Sequence, residues 1–422
     1  MIENIRQTRL DNGLTILTDQ MHGVRSVTLG FFYRTGARHE PIELNGISHF
    51  IEHTVFKGTK RRSALDIAVE QDRLGGGLDA FTTHEETGFA IKVIDDQLEH
   101  AFDLLADILI NPEFDEKELE SEQRVIIEEM KMVEDSPEEY IGELFSEAYF
   151  PNHPLGLSIA GTPESVRKFD RETTAKFHRE TYHPGNLVIT AAGNVTHEKI
   201  VDLAVKAFGS LSSAVAADSS AVPQPAAPII IKRNKNLEQA HLIIATPFVA
   251  ATDDRRYAAD LLGNLFGGGM SSRLWQKVRE QRGLAYSVGA SNAMYQDCGI
   301  FSVFAGTSPE QSDEVIDIAV AEMREVVRDG IREEELDLAK NQARASILLS
   351  LEDSASRSAT MAQCEMVHGR QIPVEETLAS IDAVTTEHVH AIASEFFRTE
   401  SMAFAALGNL NGLKVDRDRL AI

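Results

Sequence analysis

Two histidines and a glutamate within five residues, His49-Phe50-Ile51-Glu52-His53, hold more potential chemistry than any other stretch of this chain. The string reads H-x-x-E-H. On a helix, residues four apart lie one above the other, so His49 and His53 can offer two imidazoles to one metal ion. Glu52 sits beside them, placed to take a proton from a water at that metal. The order inverts the commoner H-E-x-x-H zinc motif. The chemistry such a trio supports is metal-assisted hydrolysis. The string also arises by chance, and paired histidines serve elsewhere as ordinary core or surface residues, so the motif needs support from another part of the chain.

A catalytic zinc usually takes three protein ligands and leaves one position for water. The segment 115–135, DEKELESEQRVIIEEMKMVED, has a helical apolar stripe of Leu119, Ile126, Met130 and Val133. At about 100° per residue, Glu122 and Glu129 fall on the edge of that stripe and share a face, two turns apart. An acidic side chain on a buried stripe is costly unless a cation or hydrogen bonds compensate it. Glu120, Glu128 and Lys131 read as the solvated face. The other histidines considered (His84, His100, His153, His178, His183 and His241) stand singly and read as structural, with His183 inside a turn signal, Tyr-His-Pro-Gly-Asn. Gly267-Gly268-Gly269 lacks the Lys-Ser/Thr of a phosphate loop and reads as a turn before a helix around Leu274-Trp275.

Those residues must be held by a sizeable protein. The 422 residues suggest two to four domains, and 43% hydrophobic with 25% charged residues is the composition of a soluble globular chain. A net charge of −25 argues against nucleic acid and anionic membrane surfaces as partners. It suits basic peptides, but solubility alone explains it more simply. No apolar run approaches the ~18 residues of a membrane span, and the N-terminal stretch has no signal or transit character, which predicts a cytoplasmic protein. The two cysteines, Cys298 and Cys364, form neither a metal pair nor a disulfide framework, in keeping with a reducing compartment.

An Ala/Ser/Pro-rich stretch, 211–228, reads as a linker between units 1–210 and 229–422. The two pieces resemble each other. FHRETYHPGNLVITAAGNV in the first aligns with FFRTESMAFAALGNL in the second, and the stretch from Asp79 aligns with the stretch from Ser291. Strands are expected at 14–17 and 27–33, and helices at 46–56, 63–75, 97–110 and 115–135. Strands and helices come in blocks, which predicts an α+β fold. Each of two homologous units would be a mainly antiparallel sheet covered by helices.

With these residues in place, the chain resembles the pitrilysin and mitochondrial-processing-peptidase family of inverted-motif zinc peptidases over nearly its whole length. GISHFIEHTVFKGT is close to that family's active-site helix. The resemblance implies one zinc per chain, held by His49, His53 and Glu129, with Glu52 as the catalytic base and Glu122 supporting the ligands. It also implies that Arg279 and Tyr286, in VREQRGLAYSV, contact the bound peptide from the second unit. A peptide would add as a strand at the segment 77–82, involving Gly77, Asp79, Ala80 and Phe81. The implied activity is a zinc metalloendopeptidase for unfolded peptides or leader segments. Because the family's chambers use four such units, a homodimer is expected, with a heterodimer as the alternative. A non-catalytic structural subunit and a zinc hydrolase of non-peptide substrates are the competing readings.

Overall fold

The computed structural model of the chain describes residues 3–213, 222–410 and 412–422. It contains two sheets. The first is built from β1 (Ile5–Arg9), β2 (Thr15–Gln20), β3 (Ser26–Tyr33), β4 (Leu78–Thr82), β5 (Thr87–Ile94) and β6 (Leu187–Gly193), in the order β1-β2-β6-β3-β5-β4. The second is built from β7 (Ile229–Arg233), β8 (Ala240–Phe248), β9 (Ala285–Met294), β10 (Gly299–Thr307) and β11 (Ala403–Gly408), in the order β7-β11-β8-β10-β9. All pairings are antiparallel except β2 with β6 and β7 with β11. Strands β2-β6-β3-β5-β4 thus repeat as β7-β11-β8-β10-β9. The fold is α+β as expected, with one parallel pair per sheet that the repeat pattern did not foretell.

Helices α1 (Ile47–Thr54), α2 (Ala64–Leu74), α3 (Leu98–Ile110) and α4 (Glu116–Asp135) match the periodic segments closely. Their apolar faces meet one side of the first sheet. Phe31 of β3 sits edge-on to Phe102 of α3 with ring centroids 5.3 Å apart. Phe50 and Ile51 of α1 are wholly buried in the same core, which contributes roughly 1.5–3 kcal/mol for each side chain.

The central strands are buried on both faces, since adjacent residues Ile16 and Leu17, and likewise Val188 and Ile189, are inaccessible. A sheet buried on both faces needs a second cover. Helix Ser354–Gln363 provides it for the first sheet. Met361 packs on Leu17, Val188 and Ala192. Ser354 and Ser358 hydrogen-bond Thr28 and Thr190 at 2.8 and 2.6 Å. Arg357 forms a buried ion pair with Asp19. In the second unit, α5 (Pro137–Tyr149) lays Ile141, Phe145 and Tyr149 on Ala245, Ala403 and Ala405.

The compact units therefore differ from the sequential halves 1–210 and 229–422. The first takes the chain to Met132, from Leu157 to the linker, and Leu348–Pro373. The second takes Val133–Gly156, from the linker to Ile347, and Val374–Ile422. The physical reason is that each sheet borrows its second cover from the other half of the sequence. Of the expected linker 211–228, positions 214–221 lie outside the described residues. Among the described residues no helix is long and apolar enough to cross a membrane.

Candidate metal centre

The site begins with how α1 starts. Its N-cap position is Gly46, at φ +95°, which offers no side chain to satisfy the first backbone N–H groups. A Cβ there would lie 2.6 Å from the carbonyl oxygen of Ala160, so only glycine fits. Glu40 does the capping instead. Its buried carboxylate accepts from the N–H of Gly46 and of Ser48, each at 2.7 Å. Burial pushes the Glu40 carboxyl up to about 7, although those two bonds pull the other way.

α1 turns Ile47, Phe50, Ile51 and Thr54 into the core and leaves His49, Glu52 and His53 on the opposite, partly exposed face. The rings of His49 and His53 lie 4.6 Å apart at 61°. α4 brings the third group. Glu129 Oε2 is 3.9 Å from His49 Nε2 and 3.7 Å from His53 Nε2. In tetrahedral zinc sites, bonds of about 2.0–2.2 Å place ligand atoms roughly 3.3–3.6 Å apart, slightly closer than here. Among the described residues, His49, His53 and Glu129 form the one group of three whose ligand atoms all lie within 4.8 Å of one another. Two imidazoles and a carboxylate suit zinc and leave a fourth position open.

Glu122, 5% exposed, meets the other nitrogen of His53. His53 Nδ1–H donates to its Oε2 at 3.3 Å, and Lys57 Nζ sits 2.8 Å from its Oε1. Burial alone would raise the Glu122 carboxyl, but the bonds from His53 and Lys57 bring it below its ordinary value. His53 is raised, because burial is outweighed by Glu122, Glu52 and Glu129. His49 is lowered to about 4 by burial and by the neighbouring His53, so its ring stays neutral and keeps a lone pair for a metal. This carboxylate-to-imidazole arrangement fixes the His53 tautomer with Nε2 toward Glu129. Glu122→Gln keeps an acceptor for His53 but loses the charge. It is expected to weaken zinc affinity by roughly 10–100-fold, read by competition titration against a chelator. Wild-type affinity in that variant would remove Glu122 from the site.

Glu52 points toward the sheet edge. Its Oε2 accepts from Thr82 Oγ1 at 2.7 Å, and Thr82 ends β4, an edge strand paired only with β5. Burial raises the Glu52 carboxyl, and the Thr82 bond opposes that rise. Ala80, Phe81 and Asp79 all lie on this edge strand, and Gly77 immediately precedes it. Glu52, the expected base, and the expected peptide-binding strand are thus joined by one hydrogen bond.

In the second unit Arg279 and Tyr286 do meet. The Arg279 guanidinium lies 4.5 Å over the Tyr286 ring, and Nη1–H donates to the Tyr286 carbonyl at 2.9 Å. Tyr286 is 79% exposed. The glycine run is no phosphate cradle. Gly267 ends a helix so close to β9 that a Cβ would come within 1.9 Å of the Ala290 nitrogen. His178 is a structural histidine, with Nε2 2.9 Å from the Leu109 carbonyl oxygen.

Sequence reasoning passed over Glu40, Lys57 and Thr82 as working parts of the site. Glu40 had a usable signal: a helix that opens on glycine needs its first N–H groups satisfied from elsewhere.

Comparison with known proteins gives a consistent result. Residues 15–163 match the family described as Insulinase (Peptidase family M16), and residues 168–343 match the one described as Peptidase M16 inactive domain. His49, Glu52, His53, Glu122 and Glu129 fall in the first match, Arg279 and Tyr286 in the second. An uncharacterized zinc protease of Streptomyces coelicolor is 38% identical over 93% of this chain and 87% of its own length. Another, of Bacillus subtilis, is 37% identical over 96% of this chain and 98% of its own. Among solved structures, a protease from Helicobacter pylori superposes with a TM-score of 0.89 at 23% identity, covering 96% of this chain and 100% of that one. A Peptidase M16 inactive domain from Pseudomonas fluorescens superposes with a TM-score of 0.90 at 20% identity, covering 96% and 98%. These two show the same fold.

Proposed function

The chain belongs to the insulinase family of peptidases, and on that footing we propose that it is a zinc-dependent endopeptidase of unfolded peptides or leader segments. One observation supports this reading above the others. Two imidazole nitrogens and a carboxylate converge on one point, beside a half-buried carboxylate bonded to an edge strand.

His49, His53 and Glu129 would hold one zinc per chain, which when bound would supply Lewis-acid polarisation of a peptide carbonyl and a more acidic water. Glu52 takes the proton from the attacking water and returns it to the departing amide nitrogen. Thr82 fixes the Glu52 carboxylate through its hydroxyl. Glu122, itself paired with Lys57, holds the His53 ring. A substrate adds along β4 at Gly77, Asp79, Ala80 and Phe81, where main-chain hydrogen bonds give affinity without strict sequence preference. Arg279 and Tyr286 are the second unit's contacts to peptide.

The assembly we propose is a homodimer enclosing a chamber, with a heterodimer as the alternative. A non-catalytic subunit would have no need of a complete ligand set together with its base, and this chain has all four residues.

A quenched-peptide assay with parallel metal analysis tests the function. The expected result is cleavage that stops on chelation and returns with zinc, from a dimer in light scattering. Chelator-insensitive cleavage, or a metal-loaded protein inert toward every unfolded peptide, overturns it.

A further inference from the structure

Trp275 is the only tryptophan of the chain, and nothing above gives it a task. It lies four residues before Arg279 on the same helical turn, Trp275–Glu280, so the two side chains share a face. The Arg279 guanidinium carbon is 4.0 Å from the Trp275 ring centre and 4.5 Å from that of Tyr286. Arg279 is therefore held between two aromatic faces. The indole is itself anchored, since Nε1–H donates to Glu280 Oε1 at 3.1 Å.

A guanidinium is planar and weakly hydrated, and it stacks readily on aromatic faces. Stacking uses the flat faces and leaves the N–H edge free. Of the five donors a guanidinium carries, one N–H goes to the Tyr286 carbonyl. Among the described residues no other acceptor takes the rest. A long, flexible arginine is thereby presented with its donor edge outward, already ordered before any acceptor arrives. Ordering a rotamer-rich side chain in advance spares that cost at binding.

We propose that Trp275 is a positioning residue for peptide binding: it holds Arg279 against Tyr286, so that the guanidinium edge is fixed for the acceptor groups of an extended peptide. This rests on the reading of Arg279 and Tyr286 as peptide contacts.

The test is steady-state kinetics on the zinc-loaded full chain with one quenched unfolded peptide. Trp275→Ala is expected to raise KM roughly two- to fivefold, the weight of one exposed cation–π contact, with kcat little changed. Trp275→Phe, which restores an aromatic face, should return KM close to wild type. In the Arg279→Ala background, Trp275→Ala should add nothing, because its effect passes through Arg279. A second readout avoids catalysis. In Glu52→Gln protein the single indole should change its emission on titration with the peptide, and Arg279→Ala should abolish that change.

If Arg279→Ala impairs binding while Trp275→Ala cleaves with wild-type KM, Trp275 has no positioning role and the peptide-contact reading survives. If Trp275→Ala and Arg279→Ala have independent, additive effects, the positioning role is likewise overturned. If neither substitution changes KM, the peptide-contact reading itself falls, and the role of Trp275 falls with it.

Discussion

Glu52→Gln is expected to bind zinc like the wild type and to cleave peptides slower by roughly two to four orders of magnitude. The two side chains have nearly the same shape, and Gln can still accept the Thr82 hydroxyl bond that Glu52 accepts at 2.7 Å. What Gln lacks is an oxygen able to take a proton at neutral pH. Glu52 lies outside the His49, His53 and Glu129 group, so metal content should not change. Metal analysis and single-turnover cleavage on one preparation separate the two effects. Cleavage at the wild-type rate would refute the base assignment. Loss of zinc along with activity would mean that Glu52 belongs to the ligand set.

Glu129→Ala should have an equally large effect by a different route. It leaves two imidazoles, too few for a catalytic zinc site. The loss of affinity should exceed the roughly 10–100-fold expected for an outer partner such as Glu122, and activity should fall to background at ordinary zinc concentrations. Glu129 has a side chain 45% exposed, and it faces the rings of His49 and His53 at 3.9 and 3.7 Å. Its removal should therefore leave the metal-free fold as stable as before. The contrast is measurable by thermal unfolding. Zinc should raise the Tm of the wild type by mass action, whereas the variant should show almost no zinc-dependent rise. A variant that retains one zinc per chain with wild-type affinity would show that Glu129 is not a ligand.

The parts of this protein that were legible in its sequence are those written at short range. The spacing of His49 and His53 needs only one helix to become a pair of ligands. α1 through α4 appear within a residue or two of the periodic segments, because a buried apolar face imposes a local period. Glu122 and Glu129 stood out because they interrupt such a face. The repeat was also visible, and β6 and β11 hold equivalent places in their sheets.

The tertiary structure alone decided where segments far apart in the chain meet. Asp19 and Arg357, 338 residues apart, pair beneath a helix that covers the first sheet. Nothing in the period of 354–363 says which sheet that helix will cover, since any amphipathic face is satisfied by any apolar surface that reaches it. The parallel pairs β2–β6 and β7–β11 follow from the path of the chain, not from local alternation. The same holds for Glu40 on the start of α1, Thr82 on Glu52 and Lys57 on Glu122. Hydrogen bonds of this kind leave no periodic trace, because each depends on one donor and one acceptor brought together by the whole fold. The sequence by itself determined the chemistry available, two imidazoles one helical turn apart with a carboxylate beside them and two more carboxylates on a second helix. The fold decided the second imidazole's orientation, the attachment of Glu52 to an edge strand, and the stacking of Arg279 between two rings.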